Sequence, residues 1–191
     1  MLEALLREPG VVEQHELRSP FGFMAIHGGS LERGTAEIAA AAADASGASL
    51  YAVVQPEGLR WHVPSTRYGA DASPRLASFL AHVEVVVSVH GFGRPDLHRG
   101  LLVGGADRDL ANGLASALRT ALPYYDIVDA LDRIPEGMRG VHPANPVNCA
   151  RGPGVQLELC RGVRGSPAHR IALVEALAQF ATTHGNERCT R

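Results

Sequence analysis

The fold is decided by the stretch Phe23-Met24-Ala25-Ile26-His27-Gly28-Gly29-Ser30-Leu31-Glu32, an apolar run that ends at a histidine, two glycines and a carboxylate. Val85-Val86-Val87-Ser88-Val89 is a second β-branched run, and it ends at His90-Gly91. A third run, Val155-Gln156-Leu157-Glu158-Leu159, carries one glutamate inside an apolar strand. The carboxyl ends of parallel strands meet at the crevice where α/β proteins bind ligands. The three runs therefore predict one shared site.

Two strand-end histidines and a nearby carboxylate have the chemistry of a zinc site. His27 and His90 are each followed by glycine, and Glu32 lies in a turn that can fold its carboxylate back toward His27. Two imidazoles and one carboxylate are the ligands of a catalytic zinc that keeps one coordination position open. Glu158 would then be the general base.

The same residues have structural interpretations. A single strand-end histidine is more often a hydrogen-bonding residue than a metal ligand, and only the agreement between His27 and His90 favours the metal. Alternation places Gln156 and Glu158 on one face of their strand and three apolar residues on the other. An edge strand with a hydrated face would also explain that pattern.

Composition excludes several classes of protein. A chain of 191 residues with 46% hydrophobic content can bury one core. A net charge of -2 gives no general attraction to nucleic acid or to acidic membranes. The chain has no run of about 18 apolar residues, the length that spans a bilayer. The first residues lack the pattern of a signal peptide. Three cysteines without metal spacing (Cys149, Cys160 and Cys189) indicate a reduced, cytoplasmic protein.

The chain contains no lysine, and all 18 of its basic residues are arginines. Lysine chemistry is therefore excluded, and an anion site would use guanidinium groups, which bind carboxylates through two parallel hydrogen bonds. Coding bias explains the same composition, because the chain is also rich in alanine and glycine.

Alternating strands and helices predict an α/β fold, a single domain with a mixed, largely parallel central sheet flanked by helices. We expect a lead-in segment over residues 1–20, one domain over 21–185 and a tail over 186–191. The expected strands are 22–26, 50–54, 61–63, 85–89, 101–103, 124–128 and 155–159. The expected helices are 36–45 with Thr35 as its cap, 74–82, one that starts at Asp107, and 167–183. The long loop 131–154 is expected to be functional.

Several motifs in this order resemble the poly-γ-glutamate hydrolase family, first known from bacteriophages. They are His27-Gly-Gly-Ser-Leu-Glu32, Ser88-Val89-His90-Gly91, Val103-Gly104-Gly105, His142-Pro143-Ala144-Asn145-Pro146-Val147-Asn148 and Gly154-Val155-Gln156-Leu157-Glu158 with the residues up to Arg164. The resemblance covers residues 21 to 183. It implies a zinc carboxypeptidase-like fold, one zinc per chain held by His27, Glu32 and His90, and Glu158 as general base. A phage-type enzyme would be released by lysis of its host.

The sequence departs from carboxypeptidases proper, which place the glutamate three residues after the first histidine. Ser30 stands at that position here, and the glutamate is Glu32, as in the poly-γ-glutamate hydrolases. The loop 91–100 does not match the family closely, so we expect it to set the choice of substrate.

Further residues are predicted to contact the substrate, poly-γ-glutamate or another anionic, peptide-like molecule. We expect Arg161 to stabilise the oxyanion and to hold a substrate carboxylate. Arg94, Arg99 and Arg164 are the alternative candidates for this role. His142, Asn145 and Asn148 lie in the long loop, where they could line the cleft or simply form turns. Two alternatives remain: a zinc amidohydrolase that acts on another acylated amino acid or a cell-wall peptide, and a binding domain that has lost the metal.

Overall fold

One mixed sheet of seven strands organises residues 1–188, the part of the chain that the computed structural model describes. The strands are β1 (Val12–Glu16), β2 (Ser19–Gly29), β3 (Ala48–Gln55), β4 (Val85–Gly91), β5 (Gly100–Val103), β6 (Asp126–Val128) and β7 (Val155–Leu159). Their order across the sheet is β1-β3-β2-β4-β7-β5-β6. β1 with β3 and β5 with β7 are antiparallel, and the other pairs are parallel. The predicted mixed, largely parallel sheet is confirmed.

Helices cover both faces of this sheet. They are α1 (Leu2–Leu6), α2 (Thr35–Ser46), α3 (Pro74–His82), α4 (Arg108–Ala121), α5 (Arg161–Gly165) and α6 (Pro167–Arg188). Side chains of Ser73 and Asp107 cap α3 and α4, and Gly47 ends α2 in the left-handed conformation that glycine favours. The prediction that Thr35 caps α2 is wrong. Gly34 occupies that position, and the Thr35 hydroxyl donates instead to the carbonyl of Glu32 at 2.8 Å.

Two hydrophobic cores lie on opposite faces of the sheet. The first core packs α2, α4 and α6 against the sheet through residues such as Ile38, Leu114 and Leu177. The second core packs α1 and α3 against the other face through residues such as Leu5 and Phe79. Among residues 1–188, no helix has the length and hydropathy needed to cross a bilayer.

Residues 1–20 contribute to the sheet. They form α1 and β1, and Leu2 and Leu5 are fully buried in the second core. The polar alternation of β1 is that of an edge strand, which pairs only with β3. The domain boundaries at residues 20 and 185 stay a prediction, and α6 continues to Arg188.

Three further details differ from the sequence-based expectations. The segment 61–63 is not a strand, and β6 begins at Asp126, two residues later than expected. The long loop contains three single 3-10 turns, at Leu131–Arg133, Glu136–Met138 and Pro146–Asn148. Cys149 and Cys160 are free thiols, and Cys189 lies outside the described residues.

Candidate metal centre

The three sequence runs end side by side. β2, β4 and β7 are adjacent parallel strands, and in the β4–β7 pair His90 lies directly opposite Glu158. His27 and His90 are each 2% exposed, and Glu158 is 7% exposed. β7 is a central strand, so the hydrated-edge explanation of Glu158 is wrong. Val155, Leu157 and Leu159 pack in the first core, and the glutamate points to the opposite face, as alternation predicts.

An irregularity in β2 decides where His27 points. Side chains of β2 alternate between the cores up to Ile26, which packs in the second core, so regular alternation would place His27 in the first. The register with β3 shifts between Ala25 and Gly28, where β2 has one extra residue. Such a bulge redirects a side chain. His27 consequently faces the second core, with its ring centroid 5.9 Å from that of Tyr68.

Gly28 and Gly29 allow the chain to turn tightly after His27. A Cβ at Gly28 would lie 2.6 Å from the Cβ of Ala36 in α2, so a side chain there would push the helix away. Gly29 has φ +73°, and a Cβ there would lie 2.1 Å from the carbonyl oxygen of Gln55. The glycine pair therefore fixes the path of the chain toward Glu32.

The Glu32 carboxylate bridges the two histidines, as the sequence predicts. The amide of Glu32 donates to the carbonyl of His27 at 3.0 Å, which closes the turn. Its Oε1 lies 2.9 Å from Nδ1 of His27, and its Oε2 lies 3.6 Å from Nδ1 of His90. The amide of Gly91 donates to the same Oε2 at 2.9 Å. Both imidazoles thus present Nδ1 to one carboxylate.

The second nitrogen of each imidazole is held by the protein. Nε2 of His27 lies 2.8 Å from the carbonyl oxygen of Val63, an acceptor, so that nitrogen carries a proton. Nε2 of His90 lies 3.0 Å from Oγ of Ser88. With Nε2–H donated to Val63, Nδ1 of His27 faces the carboxylate across a gap that requires a proton or a cation. Zinc-binding histidines use their second nitrogen in this way.

The donor set fits a zinc ion. One ligand atom from each of His27, Glu32 and His90 lies within 4.8 Å of the others. Two nitrogens and one oxygen form the protein half of an open tetrahedral site. Among the described residues, these three form the group that could hold a metal ion.

The charges within this group are strongly coupled. Burial alone would raise the pKa of Glu32, but hydrogen bonds with His27 and His90 outweigh it and lower that pKa to about 2. Burial would likewise lower the pKa of His90, but its hydrogen bond to Glu32 and the charges of Glu32 and Glu158 raise it. The carboxylate is therefore ionised and ready to bind a cation at neutral pH.

Glu158 lies beside this group in a different environment. Burial raises its pKa, and the charge of Glu32 adds to this effect, while His90 and Gln156 oppose it; the resulting pKa is about 7. Nε2 of Gln156 donates to Oε1 of Glu158 at 3.0 Å. A carboxyl group with a pKa near neutrality can accept and return a proton at low cost, as a general base must.

One pocket of about 580 Å³ contains the metal-binding group and Glu158. His62, which sequence reasoning missed, lines the same pocket, and its ring centroid lies 4.7 Å from that of His27. Burial and the charge of His27 lower the pKa of His62. His142 is exposed and also lines the pocket. The sequence around His27 and Glu32 does not indicate His62, because His62 belongs to a distant loop that meets His27 only in the folded protein.

The two asparagines of the long loop have different positions. Asn145 is buried, lines the pocket and donates from Nδ2 to Oε1 of Gln156 at 2.8 Å. Asn148 instead organises the loop, donating from Nδ2 to the carbonyls of Gly140 at 2.7 Å and His142 at 3.1 Å. Asn145 thus reaches the site through Gln156, whereas Asn148 lies outside the pocket.

An arginine-lined cleft of about 1100 Å³ adjoins the metal pocket and shares Glu32, Gly91 and Phe92 with it. Five arginines line this cleft: Arg33, Arg60, Arg161, Arg164 and Arg170. Burial lowers the pKa of Arg164, which donates to the carbonyls of Leu159 at 3.2 Å and Phe92 at 2.9 Å and to that of Arg33.

The other predicted arginines are placed differently. Arg161 is exposed, and its guanidinium lies beside Gly93, where a Cβ would approach it to 2.6 Å. It lines the cleft and not the pocket of Glu158. Arg94 is exposed and paired with Asp96 at 2.8 Å, and Arg99 is exposed. Neither Arg94 nor Arg99 lines the cleft or the pocket.

Comparison with known proteins identifies relatives of this chain. A family model described as poly-gamma-glutamate hydrolase matches residues 3–177. UPF0714 protein YndL of Bacillus subtilis (strain 168) is 31% identical over 159 residues, which are 82% of this chain and 59% of YndL. The SPbeta prophage-derived UPF0714 protein YoqZ of the same organism is 31% identical over 99 residues, 51% of this chain and 34% of YoqZ. The chain therefore spans less than two thirds of these relatives.

Two solved structures are similar over nearly the whole chain. A bacteriophage poly-gamma-glutamate hydrolase superposes with a TM-score of 0.76 at 26% identity, covering 93% of this chain and 90% of the other. The zinc-free structure of YndL superposes with a TM-score of 0.75 at 26% identity, covering 92% of this chain and 90% of the other.

Proposed function

Because this chain belongs to the poly-γ-glutamate hydrolase family, we propose that it is a zinc-dependent hydrolase that cleaves γ-glutamyl amide bonds. The observation that carries this proposal is the Glu32 carboxylate, which lies between Nδ1 of His27 and Nδ1 of His90, with Glu158 on the adjacent strand. A binding domain without metal would have no use for this combination of buried polar groups.

His27, Glu32 and His90 would hold the zinc. When bound, zinc lowers the pKa of a water molecule and polarises a carbonyl group. Three hydrogen bonds keep these donors in position. The carbonyl of Val63 holds the His27 imidazole, the hydroxyl of Ser88 holds the His90 imidazole, and the amide of Gly91 holds the Glu32 carboxylate. The ligands are thus pre-oriented by backbone and hydroxyl groups that do not themselves bind metal.

Glu158 moves the proton in the proposed reaction. Its carboxylate accepts a proton from the attacking water as the new C–O bond forms, and then delivers it to the amide nitrogen as the C–N bond breaks. The products are a carboxylic acid and an amine, so no other reactant is needed. In the metal-free protein burial raises the pKa of Glu158 to about 7, and the charge of a bound zinc ion would lower it toward the ionised form that accepts the proton.

The proposed substrate is polyanionic, and the arginine-lined cleft supports this choice. Poly-γ-glutamate carries one free carboxylate per residue, and guanidinium groups bind carboxylates through charge-assisted hydrogen bonds. Arg161 is exposed within the cleft, so we assign it to a substrate carboxylate. Arg164 donates to three backbone carbonyls, so we assign it mainly to linking the segments that form the cleft.

The proposed function is tested by cleavage of defined substrates with zinc-loaded protein. We expect hydrolysis of γ-linked glutamate oligomers and little hydrolysis of α-linked oligomers of equal length, with Glu158→Gln retaining zinc and losing about 10² or more in kcat. Cleavage of acylated amino acids or cell-wall peptides in place of γ-glutamyl bonds would support the amidohydrolase alternative. Zinc binding without any cleavage, or no zinc at all, would overturn the proposal.

A further inference from the structure

His62 lies on a loop that the ends of the sheet hold in place at three points. Oγ of Ser30 donates to the carbonyl of Leu59. The side-chain amide of Gln55 binds both the amide and the carbonyl of Trp61, at 2.8 Å and 2.9 Å. On the other side of His62, the carbonyl of Val63 is bound by Nε2 of His27. Both chain neighbours of His62 are therefore held by hydrogen bonds. This anchoring limits how far the His62 ring can move.

The His62 ring lies against the metal-binding group but is not part of it. Its centroid is 4.7 Å from that of His27, and it lines the pocket that contains Glu158. Among the described residues, the cluster with ligand atoms within 4.8 Å of one another contains His27, Glu32 and His90 and does not include His62. His62 is also exposed on one side. It can therefore contact a molecule that occupies the pocket.

Two other polar side chains of the pocket are already engaged with their neighbours. Nε2 of Gln156 donates to Glu158, and Nδ2 of Asn145 donates to Gln156. Arg161, the residue expected from sequence to meet the oxyanion, lines the neighbouring cleft instead. His142 is on the long loop, and its Nδ1 accepts a hydrogen bond from the amide of Ala144 at 3.1 Å, so its Nε2 is a second candidate donor in the pocket.

We propose that His62 is a catalytic residue that donates a hydrogen bond to the oxyanion developing on the scissile carbonyl. This inference rests on the proposed hydrolase function and adds a residue to it. Addition of water to an amide carbonyl leaves negative charge on its oxygen, and a donor already in place stabilises that charge more than it stabilises the substrate. A neutral imidazole keeps one N–H for this purpose.

Two substitutions separate this role from a structural one. His62→Phe keeps a ring that can pack on His27 but has no N–H, and His62→Gln keeps an N–H donor but has no ring. The matched control is His98→Ala, which removes an exposed histidine that lies outside the pocket. All three variants and the unmodified protein are loaded with zinc, and their zinc content is measured before any assay.

The probe is a phosphinate analogue of γ-glutamylglutamate, in which a tetrahedral phosphorus places an oxygen where the oxyanion forms. Calorimetry should show that His62→Phe binds it about tenfold or more weakly, because one donor to a charged oxygen is lost. His62→Gln should recover part of this loss, and His98→Ala should bind as the unmodified protein does. For cleavage of γ-linked oligomers, His62→Phe should lower kcat and leave KM within about twofold.

Two results would overturn the role of His62 while leaving the proposed function intact. One is unchanged phosphinate binding by His62→Phe. The other is loss of zinc from His62→Phe, which would mean that His62 acts only through His27. If the unmodified zinc-loaded protein neither binds the phosphinate nor cleaves γ-linked oligomers, the proposed function itself fails, and the role of His62 fails with it.

Discussion

Gln156 holds Glu158 by a hydrogen bond of 3.0 Å from its Nε2 to Oε1 of the carboxylate, along the same face of β7. Asn145 fixes the orientation of the Gln156 amide, because it donates to the amide oxygen at 2.8 Å. The proposed base is thus oriented by two residues that are not part of the metal-binding group.

Removal of this support should impair catalysis without loss of the metal. Gln156→Leu should lower kcat by about tenfold, the lower end of the range for residues that orient a catalytic group, with zinc content unchanged. Gln14→Leu makes the same chemical change at an exposed position of β1 and is the control. Steady-state kinetics and zinc analysis test this, and a Gln156→Leu enzyme with normal kcat would contradict it.

Zinc binding should depend on both histidines. The purified protein should contain about one zinc per chain, and His27→Ala and His90→Ala should each lose it after dialysis. His82→Ala, on α3, should keep it. Elemental analysis measures the ratio of zinc to protein. If both variants keep stoichiometric zinc, the metal site lies elsewhere.

The metal-free protein should lose stability as pH rises between about 4.5 and 7. Glu158 has a pKa of about 7 when folded, against 4.5 as its ordinary value, so the folded state binds the proton more tightly. A group whose pKa is raised by folding stabilises the folded state fully at pH values below its pKa in the unfolded state. That stabilisation is lost as the pH rises through its pKa in the folded state.

Denaturant titrations at several pH values measure this slope, and Glu158→Gln should flatten it. Glu175→Gln, at an exposed position of α6, should leave the slope unchanged. The prediction fails if Glu158→Gln and the unmodified protein show the same dependence on pH.

Arg161 should matter in proportion to the charge of the substrate. Arg161→Ala should reduce kcat/KM by more than about tenfold for a γ-glutamyl substrate, as expected for a lost hydrogen bond to a charged group. A neutral acyl-peptide should be affected much less, and added salt should weaken the difference. Arg161→Lys should recover only part, because an ammonium cannot form two parallel bonds.

Arg7→Ala is the control for this series, since it removes an exposed arginine that follows the last residue of α1, pairs with Glu3 and lines neither the cleft nor the pocket. Michaelis curves at low and high salt, on one polyanionic and one neutral substrate, provide the comparison. An equal effect of Arg161→Ala on both substrates would remove the support that charge gives to a polyanionic substrate.

Local patterns in the sequence were sufficient to predict the strands that carry the site. His27 and His90 each follow an apolar run and precede glycine, and Glu158 alternates with apolar residues. These signals depend on neighbours along the chain, so they can be interpreted without a structure. The order of β2, β4 and β7 then brings the three side chains together.

Contacts across loops could not be predicted in the same way. His62 reaches the site because His27 binds the carbonyl of Val63, and a backbone carbonyl leaves no mark in the sequence. The contribution of residues 1–20 to the sheet was also missed, because β1 is a polar edge strand whose pairing with β3 is long-range.

The bulge in β2 makes the site sensitive to the length of the chain as well as to the identity of its residues. A deletion of Gly28 would restore regular pairing with β3 and place His27 opposite Val54, which turns its imidazole toward the first core, away from Glu32 and His90. We expect such a protein to keep its sheet and to lose its zinc, and circular dichroism with elemental analysis would show both. The length of β2 at this bulge is therefore a requirement of the chemistry more than of the architecture.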